Sequence, residues 1–187
     1  MRRRETIAYI AMGANQASEQ GSPRETLEAA LALLVSRGIS VDAKSTWMTS
    51  PAWPEGSGPE YVNGAAQVSC ALSPSSLLAV LHKVETMLGR VRGGERWGAR
   101  PCDLDLIASG STVAPNAVVW RHMEAAAPET PRDTLLLPHP QMHRRAFVLK
   151  PLSEFAPHWR HPILRRTVSE MLAALPEIER RDVKPLT

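Results

Sequence analysis

At 187 residues, with 43% hydrophobic and 22% charged side chains, the chain has the size and composition of one globular domain with its own core, which excludes a disordered or fibrous protein. A formal charge of +3, carried mainly by arginine, leaves two readings: a solvated surface, or an anionic partner such as nucleic acid or a phosphorylated small molecule. No apolar run is long enough to span a bilayer, and segment 6–12 behind the basic start is too short for a signal peptide, so a cytoplasmic protein is expected.

In chain order, residues 6–12 read as a strand with Ile7 and Tyr9 on one face and Ala8 and Ile10 on the other. Ser22-Pro23-Arg24-Glu25 is a capping box with proline at the first helical position. The helix behind it sets Leu27, Ala30, Leu31 and Leu34 on one stripe, and Gly38 stops it. Residues 39–49 read as a strand, 50–59 as a proline- and glycine-containing loop, and 61–70 as a further strand. Ser73-Pro74 opens a second helix with Leu77, Val80, Leu81, Val84 and Leu88 inward and Gly89 as its stop. A charged, glycine-containing loop at 90–100 leads into a strand at 102–108.

That order, strand-helix-strand-strand-helix-strand, is the split βαβ arrangement of ferredoxin-like α+β folds, an antiparallel sheet with packed helices. With the later additions we expect three α/β/α layers in a single domain over 1–187. Residues 109–134 lack a clean period and read as a long connection. Thr167-Val168-Ser169-Glu170 caps a last helix at about 167–175 with Val168, Met171, Leu172 and Leu175 inward. Cys70 and Cys102 lie in apolar, strand-like segments and read as reduced core thiols, and no Cys/His cluster has zinc spacing.

The chemistry concentrates at Asp103-Leu104-Asp105-Leu106-Ile107. On a strand alternate side chains share a face, so Asp103 and Asp105 point one way while Leu104 and Leu106 enter the core. Two adjacent carboxylates repel unless a cation lies between them, and carboxylate oxygens are the ligands magnesium takes while keeping positions for water and phosphate. Four arginines (Arg90, Arg92, Arg96 and Arg100) run into this pair. They supply more positive charge than two carboxylates need, and the guanidinium fork suits phosphate oxygens. No P-loop and no protein-kinase motif set is present, so phosphates must be held through metal and arginine.

The block Arg96-Trp97-Gly98-Ala99-Arg100-Pro101-Cys102-Asp103-Leu104-Asp105-Leu106-Ile107 resembles the signature of the 6-hydroxymethyl-7,8-dihydropterin pyrophosphokinases of folate biosynthesis. Gly13-Ala14-Asn15, Ser50-Pro51 with Tyr61-Val62-Asn63, Leu137-Pro138-His139-Pro140 and the stretch from Arg145 to Leu152 resemble further family blocks in the same order. The resemblance spans about residues 7–157. It implies transfer of pyrophosphate from ATP to the hydroxymethyl oxygen of the pterin, with release of AMP. Asp103 and Asp105 would bind two Mg2+ ions, and Arg90 and Arg100 would stabilise charge on the transferring group. ATP would be met by His82, Glu85, Arg92, Trp97, His139 and Arg145. Tyr61 and Phe147, both read at strand positions, would sandwich the pterin. Asn63 would bond its edge, and Ser50, Pro51 and Trp53 would line the pocket. A monomer acting on small molecules, with no nucleic-acid or membrane partner, is expected.

The sequence departs from the family pattern in places. Ala14 replaces a serine, His82 stands where glutamine is common, and Gly93-Gly94 replaces bulkier loop residues. Thr134 and Leu136 occupy positions where the family often has Arg and Thr near ATP. The connection at 109–134 is longer than usual: it either folds over the nucleotide, for instance through Arg121 or Arg132, or decorates the edge. Two rival readings remain. A magnesium-dependent nucleotidyltransferase would need a glycine-serine element just before the aspartates, and none is found. A non-catalytic RNA-binding module of the same topology would need aromatics on its central strands, where the first offers only Tyr9.

Overall fold

The computed structural model describes residues 5–52, 56, 58–90, 100–126 and 135–187. Strand β1 (Thr6–Ala14) lies at the centre of one antiparallel sheet, between β4 (Tyr61–Cys70) and β5 (Asp103–Ser109). On the far side of β4 lie β2 (Ser40–Lys44) and β3 (Met48–Ser50). Taking β2 and β3 as one interrupted strand, this is the ferredoxin-like arrangement expected from the order of elements. The expected single strand at 39–49 is divided because Trp47 turns into the core. Its ring lies against Gly64, where a Cβ would come within 2.5 Å of Cζ3, so only glycine admits the indole. Ser45 keeps the interruption bonded to the sheet, donating its N–H to the Ala65 carbonyl and accepting the Ala65 N–H on its Oγ, each at 3.0 Å.

Helices α1 (Pro23–Val35) and α2 (Pro74–Met87) cover one face. The capping box predicted at Ser22 and Glu25 forms, and Ser73 caps α2. Leu27, Leu34, Leu77, Leu81 and Val84 meet Ile10, Leu104, Leu106 and Val68 in the larger core. Each such side chain contributes about 1.5–3 kcal/mol of burial free energy. The opposite face carries α4 (Ala146–Ser153) and α5 (Val168–Ala173) over Tyr9, Ala11, Ala65 and Ile107. The α/β/α layering is therefore present, with helices on both faces. Cys70 and Cys102 are buried free thiols, and burial pushes Cys102 up to about 12, so it is no nucleophile.

Four elements were not anticipated. The connection at 109–134 contains helix α3 (Ala117–Ala125), whose apolar residues cluster around one tryptophan rather than forming a long stripe. Residues 146–153, expected to place Phe147 on a strand, form helix α4, whose turn-by-turn burial of Val148, Leu149 and Leu152 is helical in period. The last predicted helix ends early, and a short helix α6 (Glu177–Asp182) and a two-residue strand β6 (Lys184–Pro185) follow. Lys150 Nζ donates to the Arg180 carbonyl at 2.9 Å and to that of Val183, holding this tail so that β6 pairs with β3. Among the described residues no helix is long and apolar enough to cross a membrane.

Candidate active site

The α4/α5 face of the sheet is covered only along part of its length. At the open end the register sets Asp103 beside Gly13, Gly13 beside Asn63, and Asp105 beside Ala11. Paired residues of an antiparallel sheet share a face, so both aspartates, Asn63 and Tyr61 stand on one surface, as the alternation predicted for the aspartates. Gly13 forms the floor between them. A Cβ there would lie 3.5 Å from Asn63 Oδ1 and 3.8 Å from the Tyr61 ring, so a larger side chain would fill the space over the strands.

Asp103 is bound from both sides. Arg90 Nη1 reaches its Oδ1, and Arg100 Nη1 reaches Oδ2 at 2.8 Å. The same Arg90 nitrogen contacts Glu85 Oε1. Glu85 is only 1% exposed, and it also accepts the Leu104 N–H at 2.8 Å, between the two aspartates on β5. Glu85 thus lies beneath Arg90 and fixes it to the strand. Burial alone would lower the Arg90 pKa, but the Asp103 and Glu85 carboxylates outweigh it and raise it, so the guanidinium stays charged. Asp105 receives no hydrogen bond from the described residues.

The rim is tied together by Asn15, 7% exposed at the end of β1. Its Oδ1 accepts the Arg100 N–H at 2.8 Å, its N–H donates to the Arg100 carbonyl at 3.0 Å, and its Nδ2 donates to the Pro59 carbonyl at 3.4 Å. The sequence offered Asn15 only as part of a motif; no periodicity could have given it this bridging position.

Asn63 is buried, and its Nδ2 donates to Ser50 Oγ at 3.0 Å and to the Tyr61 carbonyl at 3.3 Å. Ser50 is buried beside it, while Pro51 is exposed. Burial raises the Tyr61 phenol pKa, with Arg100 and Arg90 pulling it down and Asp103 raising it, which places the ring next to the charged cluster. Phe147 lies in the first turn of α4, 38% exposed, with the Arg145 guanidinium 5.7 Å from its ring centroid. Ala146, its neighbour, packs on Met48, which pairs with Asn63, so this end of α4 faces the same part of the sheet. Tyr61 and Phe147, both among the described residues, make no ring contact with each other.

His139 is half-buried on the turn after residue 137; its N–H donates to the Ile107 carbonyl of β5 at 2.8 Å. His82 is half-buried on α2, one turn before Glu85. Leu136 is buried, and Arg121 is exposed on α3. Trp53, Arg92, Gly93, Gly94, Trp97, Arg132 and Thr134, named from the sequence, lie outside the described residues. A concavity of about 550 Å3 between α4, α5 and α6 contains none of the site residues, and its central cation, Lys150, is committed to backbone carbonyls.

Two carboxylates on one strand, two arginines locked to the first of them and an aromatic-flanked shelf on an open sheet end define a class: α+β transferases that handle phosphate groups. The family model for 7,8-dihydro-6-hydroxymethylpterin-pyrophosphokinase (HPPK) matches residues 9–157, and the chain belongs to this family. It is similar to the 2-amino-4-hydroxy-6-hydroxymethyldihydropteridine pyrophosphokinase of Synechocystis, with 36% identity over 88% of this chain and 74% of the relative. The Pseudomonas aeruginosa enzyme of the same name is 36% identical over 90% of this chain and 91% of its own length. Among solved structures, a Plasmodium falciparum HPPK-DHPS triple mutant superposes with a TM-score of 0.64 at 13% identity, over 92% of this chain and 44% of that longer one, and shares the fold.

Proposed function

We propose that the open end of the sheet is where this ATP-dependent transferase moves pyrophosphate from ATP to the hydroxymethyl oxygen of 6-hydroxymethyl-7,8-dihydropterin, releasing AMP. The observation that carries the placement is the shared face of Asp103, Asp105, Asn63 and Tyr61, with Arg90 and Arg100 at its edge.

The donor set fits magnesium. Two hard carboxylates stand side by side, and no group of three or more His, Cys, Asp or Glu exists among the described residues, so the protein offers few ligands and leaves the rest to water and phosphate oxygens. Asp103 and Asp105 would hold two Mg2+ ions, which neutralise charge on the triphosphate when bound.

The chain's own groups do the remaining work. Arg90 and Arg100 donate to the group in transfer as charge builds on it, and their ties to Glu85 and Asn15 fix them beforehand. Tyr61 and Phe147 take the flat pterin between their rings. Asn63, already oriented by Ser50, bonds its polar edge while Pro51 and Trp53 line the pocket. His82, Arg92, Trp97, His139 and Arg145 belong to the ATP side. The pterin hydroxyl attacks the β-phosphorus from the side opposite the bridging oxygen to the α-phosphorus. A new P–O bond forms on the pterin oxygen as its O–H bond breaks and the proton passes to Asp105 or to water, and the α–β bridging oxygen leaves with AMP. The chain is proposed to act as a cytoplasmic, single-domain monomer, a setting that suits its two reduced buried cysteines.

The test is the nucleotide product. Chromatography of a quenched reaction of MgATP and the dihydropterin should give AMP with no ADP and no free pyrophosphate, and a chelator should abolish it. Stoichiometric ADP would mean transfer of a single phosphoryl group, and pyrophosphate would mean nucleotidyl transfer; either overturns the reading.

A further inference from the structure

Helix α3 is poorly equipped to exist for its own sake. It has nine residues, Val118 is 79% exposed and Val119 36% exposed, and Trp120 is the one buried side chain it contributes. An isolated helix of that length is marginal in water, so its place must come from what Trp120 holds. Trp120 is fully buried, yet it joins neither of the two main hydrophobic clusters. Its indole Nε1 donates to the Pro138 carbonyl at 2.6 Å, the carbonyl of the peptide bond into His139.

The other contacts of this connection converge on the same turn. Ala114 and Leu137 exchange backbone hydrogen bonds at 3.0 and 3.2 Å. Gln141 Nε2 donates to the Glu124 carbonyl at 3.2 Å, and Glu124 Oε1 meets His143 at 3.2 Å as well as Arg144. From the other side, the His139 N–H is held by Ile107 of β5, the strand that carries both aspartates. The His139 ring is fixed within the turn too, since its Nδ1 accepts the Gln141 N–H at 3.2 Å. A neutral imidazole that accepts on Nδ1 carries its proton on Nε2 and can donate only there.

We infer that Trp120 is a positioning residue for His139: the long connection between β5 and α4 clamps the His139 turn from behind and sets the ring's position relative to the aspartate strand. The inference rests on the proposed contact of His139 with the triphosphate. It gives the 109–134 connection a role distinct from the two considered from sequence, since α3 neither needs Arg121 for the nucleotide nor merely decorates an edge.

The experiment is a double-mutant cycle read by the Kd of α,β-methylene-ATP with Mg2+, alongside thermal unfolding of each variant. Trp120→Phe keeps most of the buried ring and removes the N–H donor. Gln141→Ala removes the second tie without touching the indole, and serves if Trp120→Phe fails to fold. Each is expected to raise Kd about fivefold, and neither is expected to raise it further in a His139→Ala background. A fivefold loss that persists beside His139→Ala overturns the inference alone. So does a lowered unfolding temperature with unchanged Kd, which would make Trp120 a structural anchor only. An unchanged Kd in His139→Ala by itself overturns the triphosphate contact and the inference with it.

Discussion

Asn15 and Arg100 hold each other by reciprocal hydrogen bonds, Arg100 N–H to Asn15 Oδ1 at 2.8 Å and Asn15 N–H to the Arg100 carbonyl at 3.0 Å. The third bond of Asn15, to the Pro59 carbonyl, reaches the loop that leads into Tyr61. One side chain therefore joins the arginine side of the site to the strand carrying Tyr61 and Asn63. Asn15→Asp keeps the acceptor for Arg100 and loses the donor to Pro59, whereas Asn15→Ala loses both. Leaving a buried N–H unsatisfied costs about 1–3 kcal/mol. We expect Asn15→Ala to lower kcat/KM by at least about tenfold. Asn15→Asp should mainly raise KM for the pterin. Equal, small effects of both variants would show that the bridge does not matter to turnover.

Substitutions of the two aspartates should separate in stability although either is expected to abolish activity. Asp105 takes no hydrogen bond from described residues, so Asp105→Ala relieves repulsion and should leave the unfolding temperature within about 2 °C of wild type. Asp103 neutralises Arg90 and Arg100, and Asp103→Ala leaves those cations facing each other at the site's edge. It should melt clearly lower. Turnover in Mg2+ near the wild-type level for either variant would contradict the metal-binding role.

The two arginines differ for a related reason. Removing Arg90 takes away a cation paired with Glu85, a buried carboxylate at 1% exposure that also accepts the Leu104 N–H. Breaking a buried ion pair by removing one partner costs about 3–5 kcal/mol, so Arg90→Ala should be destabilised on that scale in urea titrations. Arg100 pairs at a more open position, 33% exposed, and Arg100→Ala should cost no more than about 1 kcal/mol. Both variants should lose turnover more than ATP affinity, as expected for donors acting on developing charge. Unchanged kcat with weakened ATP binding would recast them as ground-state clamps.

His161 gives a pH signature. It is fully buried between Trp120 and Trp159, its Nδ1 accepts the Ile163 and Leu164 N–H groups, and burial lowers its pKa to about 4, with His143 lowering it further. A base depressed in the folded state binds more protons when unfolded, so its stabilising effect is full above about pH 6.5 and falls as pH drops towards 4. Comparison with His161→Asn cancels the carboxylates that titrate in the same range. The stability advantage of wild type over that variant should shrink by about 3 kcal/mol between pH 7 and 4. A constant difference across that window would mean that folding does not depress the His161 pKa.

Much of this architecture was legible in the sequence because it depends on local rules. The alternation of β1 and β5, the capping box at Ser22, the stripe of α2 and the shared face of Asp103 and Asp105 follow from strand and helix periods within a few residues. Phe147 was misplaced on a strand because a short apolar run does not distinguish a strand from one face of a helix until its neighbours are packed. The division of β2 from β3 depends on Trp47 finding Gly64, and that pairing exists only across the sheet.

The residue types that could do phosphate chemistry were set by the sequence alone: two carboxylates at alternate positions and arginines beside them. Which of them reach the open sheet end, and which are buried beneath it, was decided only by tertiary structure. Glu85 and Asp103 carry the same chemical group, but α2 packs Glu85 under β5 at 1% exposure, while the open sheet end leaves the Asp103 side chain 23% exposed. Trp120 carries no signal in the chain that separates it from an ordinary core residue, and the motif that contains Asn15 does not reveal its bridging position. Their partners, Pro138, Arg100 and Pro59, lie 18, 85 and 44 residues away, and only the folded backbone brings those carbonyls and amides within hydrogen-bond reach.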